Sequence, residues 1–290
     1  VLLGNVFRRF DRQDHYVGGG NALRAFLAGE WFWAKTSYEY AIRLPEALEV
    51  FGDGLFIQPN ARLLPERSHN ANVGLQIDHQ EGGAGRFRAN VFFFLRQVEN
   101  QIVLLPTAGD FLGHENVSQA RSQGVEVSLA WTSPGDWVSV LGNLTYVDLR
   151  NRSSEGDFGS FQGDRIPGRP FLTANGNASF VASNIVRLRD ELRLGGDVRF
   201  VESFFRGWES QGDLDFKARV RRQAALSTFV SYGFGFGYWR LTATFEITNL
   251  NNTELFDFFG VQNPPRSYFL KVTGEYRAVA HAAARPVPAG

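Results

Sequence analysis

Five histidines, His15, His69, His79, His114 and His281, are the first places to look for metal or acid-base chemistry. They are scattered, and none is paired at a ligand spacing such as HExxH, so no metal site is expected. A nucleophilic serine would normally be fixed by a GxSxG elbow, which is absent, leaving His79 or His114 as surface residues without a defined triad. The run "GFGFGYW" has the glycine spacing of a phosphate loop, yet no helix follows it, and such a loop needs a helix N-terminus or a ring of N–H groups. It is expected to be a tight turn between strands. "RVRR", Arg219 to Arg222, is expected to be a solvated rim at a strand start, and the sequons at Asn116, Asn143, Asn151, Asn177 and Asn251 fit chance. No catalytic residue, cofactor or metal site follows from these patterns.

The elements that carry these residues are strands. Of 290 residues 43% are hydrophobic, with 31 Gly and 27 Phe, a composition that suits strands and turns better than helices. Formal net charge is zero, so no overall field would gather nucleic acid. Cys is absent, which removes disulfides and thiolate sites together. No apolar run is long enough for a transmembrane helix, a test that a strand-built barrel does not face. The start, "VLLGNVFRRF", has neither an initiator Met nor a signal-peptide pattern, and a fragment of a longer protein is expected.

Period-2 alternation recurs along the chain. In "WRLTATFEIT" Trp239, Leu241, Ala243, Phe245 and Ile247 oppose Arg240, Thr242, Thr244, Glu246 and Thr248, and "RSYFLKVTGEY" keeps Lys271 and Glu275 on one parity. About twelve strands are expected, at 1–10, 22–31, 32–43, 70–80, 85–98, 115–132, 136–150, 169–182, 190–205, 219–232, 239–250 and 267–276. Many reach ten residues or more, about what a tilted strand needs to cross a bilayer. Connections alternate in length. "HQEGGAG", "TSPGD" and "GFGFG" are tight, whereas 44–69, 99–114, 151–168, 207–218 and 251–266 are long and polar, the asymmetry of an outer-membrane barrel. Trp131, Trp137, Tyr238, Trp239, Tyr268 and Tyr276 stand near strand ends, where interfacial aromatics would lie. A soluble lipocalin-like barrel or sandwich shares the alternation but not the loop asymmetry. Residues 277–290, rich in Ala and Pro, are expected to be a disordered tail after a barrel region at 1–276.

Several segments together resemble the C-terminal barrel of TonB-dependent outer-membrane receptors. "SYEYAIRLPEALEVFG" is similar to the family's Arg-x-Pro and Glu-Leu-aromatic run at Arg43, Pro45, Glu49 and Phe51, with Val50 in place of Leu. "NARLLPERSHNANVGL" matches at Asn60, Leu63, Pro65, Glu66 and Ser68 and departs at Ala61, Arg62 and Leu64. "ARSQGVEVSL" supplies Gly124 and Glu126, and "GDRIPGRPFLTANG" supplies Ile166, Pro167 and Pro170. The final segment matches at Asn249, Leu250, Asn252, Gly260, Pro264, Arg266 and Tyr276, with Pro265 where Gly is usual.

The resemblance implies an all-β, antiparallel transmembrane barrel, here about twelve strands from the C-terminal part of a barrel of about 22. It implies a non-enzymatic receptor in the outer membrane of a Gram-negative bacterium, importing a scarce nutrient, a ferric siderophore first among them. Its partners would be outer-membrane lipid, an extracellular small molecule and the TonB energy-coupling complex, reached through an N-terminal plug that this sequence does not show. Nucleic acid is not expected as a partner, and no residue can be named as a ligand contact. The alternative is a self-contained small pore or barrel enzyme, which would need 1–10 to pair with the last strand.

Overall fold

The structure is a computed structural model that describes residues 15–80, 83–107, 111–212, 218–257 and 261–276. The strands are β1 (Gly19–Ala28), β2 (Phe32–Arg43), β3 (Ile57–Gln58), β4 (Glu66–His79), β5 (Arg86–Pro106), β6 (Leu112–Thr132) and β7 (Val138–Asn151). They continue as β8 (Leu172–Ser183), β9 (Glu191–Val201), β10 (Phe204–Phe205), β11 (Arg219–Val220), β12 (Gln223–Phe236), β13 (Trp239–Thr248) and β14 (Ser267–Tyr276). One short helix, α1 (Ala47–Phe51), lies between β2 and β3. A 12-stranded sheet runs in the order β1-β2-β4-β5-β6-β7-β8-β9-β12-β13-β14, with β3 joined in parallel to β6 and β10 and β11 forming a separate pair. Each neighbour along that order pairs antiparallel, so the sheet is a meander. The segment 1–10 and the tail 277–290 lie outside the described residues, as does Gly260.

Cross-strand register sorts the side chains into two faces. On one face the rows read Val73, Phe93, Val125, Tyr146, Leu172 and then Leu75, Val91, Val127, Leu144, Ala174, without a charge. The same face continues through Leu194, Val230 and Phe245 to Leu270. The opposite, inner face carries Glu39, Arg96, Arg199, Arg240, Lys271 and Glu275, and it encloses a cavity between β2 and β7. In β13 and β14 Arg240, Glu246, Lys271 and Glu275 all fall on one face, as the alternation requires.

Three expectations need correction. The stretch 99–114 is not a long loop: β5 and β6 are each 21 residues and run through most of it as one hairpin. At about 3.3 Å per residue such strands are roughly twice what a bilayer core needs. "GFGFG" is strand for its first four residues, and the turn is Gly237 and Tyr238, with Gly237 at φ +57°. Gly233 leaves room for the Arg240 guanidinium, which reaches Glu191 at 3.6 Å. The strands expected at 190–205 and 219–232 are each broken, because Phe204–Phe205 and Arg219–Val220 turn aside to pair with each other. Among the described residues no helix is long and apolar enough to cross a membrane.

Candidate functional site: a basic cavity under folded loops

The end of the sheet opposite the short turns is built up by loops that pack on the β5–β6 hairpin. Pairing lapses between Asn100 and Ser118, with Asn100 at φ +54°, and the alternation steps by one on both strands. Ala120 before the step and Val103, Leu105 and Val117 after it therefore share a buried cluster. Ile166 and Trp208 complete that cluster, with Val98, Leu149, Phe158 and Phe161 against it. Trp208 stacks on Phe161 at 5.0 Å and 2°, which fastens the loops 151–168 and 207–212 to each other.

The other face of the hairpin is held by the strap between β2 and β4. Asn60 Nδ2 donates to His114 O at 2.8 Å, and Asn116 Oδ1 accepts from Leu64 N at 2.7 Å. Asn116 Nδ2 donates to Leu64 O and Asn100 O. Leu63 is buried beside these ties. At the foot of the strap Arg43 makes a bidentate pair with Glu66 at 2.9 Å and donates to both Glu49 oxygens at 3.0 Å. The guanidinium pKa is accordingly raised, first by the Glu66 bond. Glu66 also accepts from Ile102 N, and Glu49 caps α1 by accepting from Glu46 N. Asp53 accepts from the N–H groups of Leu55, Phe56 and Ile57, bonds that lower its pKa, the bond from Ile57 contributing most.

Between these loops and the inner face lies a cavity of about 740 Å³, walled by Glu39, Arg43 and Glu66 on one side, Arg96 and Gln101 beneath, and Arg169 and Phe171 across. A second cavity of about 380 Å³ adjoins it and adds Arg219, Arg222, Glu202 and Phe205. Arg165 borders both. Glu202 holds Arg222 at 2.9 Å, and its pKa is lowered chiefly by that bond. Arg96 and Arg169 pair with no carboxylate among the described residues, and Gln101 Oε1 is buried without a partner. Glu39 likewise pairs with no cation among the described residues, so the walls keep a net positive charge and hydrogen-bonding capacity in reserve, which suits an anionic, oxygen-rich molecule.

The structure brings Arg43, Glu49, Asn60, Leu63, Glu66 and Ile166 together around the hairpin, and Pro45 and Pro65 bracket the strap. Phe51 ends α1 with its ring exposed, and Pro167 is buried beside Ile166. Gly124 sits where an added Cβ would meet Tyr146 O at 2.0 Å, and Glu126 lies two residues on along β6. Asn249, at φ +49°, exchanges two bonds with the Thr253 backbone, Leu250 follows it half-exposed, and Arg266 N donates to Asn252 Oδ1. Trp131 and Trp137 flank the turn after β6, Tyr238 and Trp239 meet Tyr276 at the turn after β12, and Tyr268 lies at the opposite end against Phe245. His79 sits against Trp31 at a short turn, far from His114 in the hairpin, and neither bonds a serine among the described residues. Among those residues no three His, Asp or Glu side chains group to hold a metal ion. Sequence reasoning missed Arg96, Arg169, Trp208 and the Val103–Val117 cluster.

A single meander of long antiparallel strands, with an uncharged band across one face and a polar opposite face around a cavity, defines a barrel wall of the outer-membrane type. The profile of TonB dependent receptor-like, beta-barrel domains matches residues 9–250, and the chain belongs to that family. Similar solved structures include the ferric preacinetobactin receptor BauA from Acinetobacter baumannii, at 18% identity and a TM-score of 0.62 over 87% of this chain and 35% of that one. The copper transporter OprC matches at 18% identity and a TM-score of 0.62, over 88% of this chain and 39% of its own. The ferric enterobactin receptor PfeA from Pseudomonas aeruginosa matches at 18% identity and a TM-score of 0.61, with the same coverage. The chain thus spans little more than a third of these proteins' lengths. No curated protein sequence matches it significantly. The family and these neighbours are transport receptors.

Proposed function

We propose that the chain is the barrel portion of an outer-membrane receptor that captures a ferric siderophore outside a Gram-negative cell and passes it inward. The observation that carries this is the cavity at the loop end, where Arg96 and Arg169 stand without carboxylate partners. Ferric chelates built on catecholate, hydroxamate or carboxylate oxygens present the dense oxygen and negative charge that such a wall binds. Membership of the family and neighbours named for ferric chelates favour iron over other nutrients.

In this reading the uncharged band meets lipid, because a Lys or Arg there would cost about 2 to 4 kcal/mol near the bilayer midplane. Trp131, Trp137, Tyr238, Trp239 and Tyr276 form the interfacial girdle at the short turns and Tyr268 belongs to the other girdle. The loops 44–69, 151–168, 207–218 and 251–266 face outside. Residues 43, 45, 49, 51, 60, 63, 65, 66, 124, 126, 166, 167, 249, 250, 266 and 276 act as structural ties rather than ligand contacts. Energy comes from the TonB complex through an N-terminal plug, and residues 1–276 form the barrel part ahead of a tail at 277–290. No bond of the nutrient is broken, so the receptor is not an enzyme.

The test is uptake of radiolabelled ferric siderophores by cells carrying the complete receptor. Accumulation that requires the receptor and stops when the TonB complex is removed is expected. Uptake that persists without the complex would favour a pore, and no iron uptake with any chelate class would overturn the ligand assignment.

A further inference from the structure

At the short-turn end of the sheet one connection differs from the rest. The other turns there each use a glycine at positive φ, Gly29, Gly85, Gly135 and Gly237. Between β8 and β9 runs instead "NIVRLRD", Asn184 to Asp190, with no glycine and with Ile185, Val186 and Leu188 exposed, Leu188 to 88%. Its shape is fixed from within. The buried Asp190 carboxylate accepts from Ile185 N at 2.7 Å and from Val186 N and Arg187 N at 2.9 Å, and Asn184 Oδ1 accepts from Arg189 N at 2.7 Å. Arg189 stands at φ +68°, which Gly or Asn adopts more easily, so a guanidinium is held there at a cost in backbone strain.

The turn leans over the outward face of the sheet. Tyr232 and Phe234 share the parity of Val230; the Tyr232 hydroxyl donates to Asp190 at 2.7 Å, and the Arg187 guanidinium lies 5.6 Å from the Phe234 ring centre. Trp137 against Phe180 flanks the turn on one side and Trp239 against Tyr276 on the other. Arg187 and Arg189 are exposed and pair with no carboxylate among the described residues, whereas Arg193 on the inner face is bonded to Glu191. We propose that this turn is a lipid-docking knob: Ile185, Val186 and Leu188 enter the acyl region of the leaflet on the short-turn side, and Arg187 and Arg189 bind phosphates of its phospholipids. Lipid is the occupant because the turn lies on the same face as the uncharged band and within the row of rim aromatics, and because a phospholipid offers apolar chains to the aliphatic side chains and a phosphate to the free guanidinium groups. The proposal rests on the membrane placement argued above, and not on the identity of the nutrient.

The experiment uses the complete receptor in lipid nanodiscs, with one fluorescent label at Leu188→Cys or, separately, at Leu194→Cys in the uncharged band, on a background without other cysteines. Both labels should be quenched by spin-labelled lipid and shielded from aqueous iodide. A Leu188 label open to iodide and untouched by the lipid quencher, with the Leu194 label facing lipid, would overturn the proposal; both labels in water would overturn the membrane placement and the proposal with it. The charge is tested by native mass spectrometry of the receptor in neutral detergent, titrated with phosphatidylglycerol and with diacylglycerol of the same chains. Arg187→Gln and Arg189→Asn should each lower the preference for phosphatidylglycerol about five-fold, and Arg193→Gln should leave it unchanged. Because Asn tolerates the positive φ, Arg189→Asn should melt no lower than wild type, which separates lost charge from lost fold. An unchanged preference in both arginine variants, or displacement of the lipid by inorganic phosphate, would overturn the proposal. A knob seated in lipid on a receptor that binds no ferric chelate would leave it standing while the functional reading fell.

Discussion

Replacing Trp208 with Ala should release the loops while leaving the sheet intact. Trp208 is 6% exposed, stacks face to face on Phe161 at 5.0 Å and leans on Phe158 at 5.6 Å. A buried Trp→Ala change costs about 3 to 5 kcal/mol, and two aromatic contacts contribute roughly 0.5 to 1.5 kcal/mol each of that. The strands below are joined by continuous ladders that do not involve Trp208, so the loss falls on the docking of 151–168 and 207–212. Three to five kcal/mol corresponds to an opening equilibrium shifted by about two to three and a half powers of ten. Hydrogen exchange reads it directly. Amides of Asn151 and Ile166, which bond Asp164 O and Leu149 O across the folded loop, should lose at least a hundred-fold protection. Amides in the centre of β8 and β9 should not change. Unchanged protection at Ile166 would refute the claim that the aromatic stack holds the loops, and loss across the whole sheet would refute their independence.

Other consequences follow from single contacts. Gly124→Ala drives a methyl to 2.0 Å from Tyr146 O and 2.7 Å from the Phe94 ring, whereas Gly142→Ala meets nothing within 4 Å. The first should cost about 1 to 3 kcal/mol and the second little, as read from unfolding midpoints in detergent. Asp190 is buried at the β8–β9 turn, where burial pushes its pKa up but the Tyr232 hydroxyl and the N–H groups of Val186, Arg187 and Ile185 more than offset this, taking it from 3.8 to about 2. Because the folded value is the lower one, its stabilisation is complete above about pH 4 and disappears as pH falls towards 2. Asp190→Asn should therefore melt below wild type at pH 7 and match it near pH 2, and a gap independent of pH would contradict the charge-based account. Arg43→Ala strands two carboxylates, Glu49 and Glu66, and should loosen the strap, exposing the bonds between Asn60 and His114 to exchange. With Arg43 partly open to solvent, a loss of about 1 to 2 kcal/mol is expected, seen as faster protease cleavage within 44–65.

How much of this was legible follows from which surroundings each segment meets. β14 is legible to the residue, since one face is apolar throughout, the other is polar apart from Phe269, and two-residue periodicity survives to its end. The β5–β6 extension reads as loop because "NQIVLLP" shows no alternation. Ile102 and Leu104 face the strap while Val103 and Leu105 face the Trp208 cluster, and a strand covered on both sides reads as an apolar run. Asn100 hides the signal further by stepping the phase. "GFGFG" misled in the opposite direction, because glycine placed for Arg240 looks like glycine placed for a turn. The motif residues Arg43, Glu49 and Glu66 were found by resemblance, and their mutual bonding explains their company. The cavity was beyond reach: Arg96, Arg169 and Arg219 come from different strands and loops, and each alone resembles a solvated charge. "RVRR" reads as a solvated rim, yet what gives it meaning is Glu202 and Phe205 across the second cavity.

The most direct test of the central claim is equilibrium binding of ferric siderophores to the purified complete receptor, with Arg96→Gln and Arg169→Gln changed together. The cavity account predicts tight binding of an anionic ferric chelate, weakened at least ten-fold by the double change and by high salt, with the fold intact. Undiminished binding in that variant, or equal affinity for an uncharged nutrient, would contradict it.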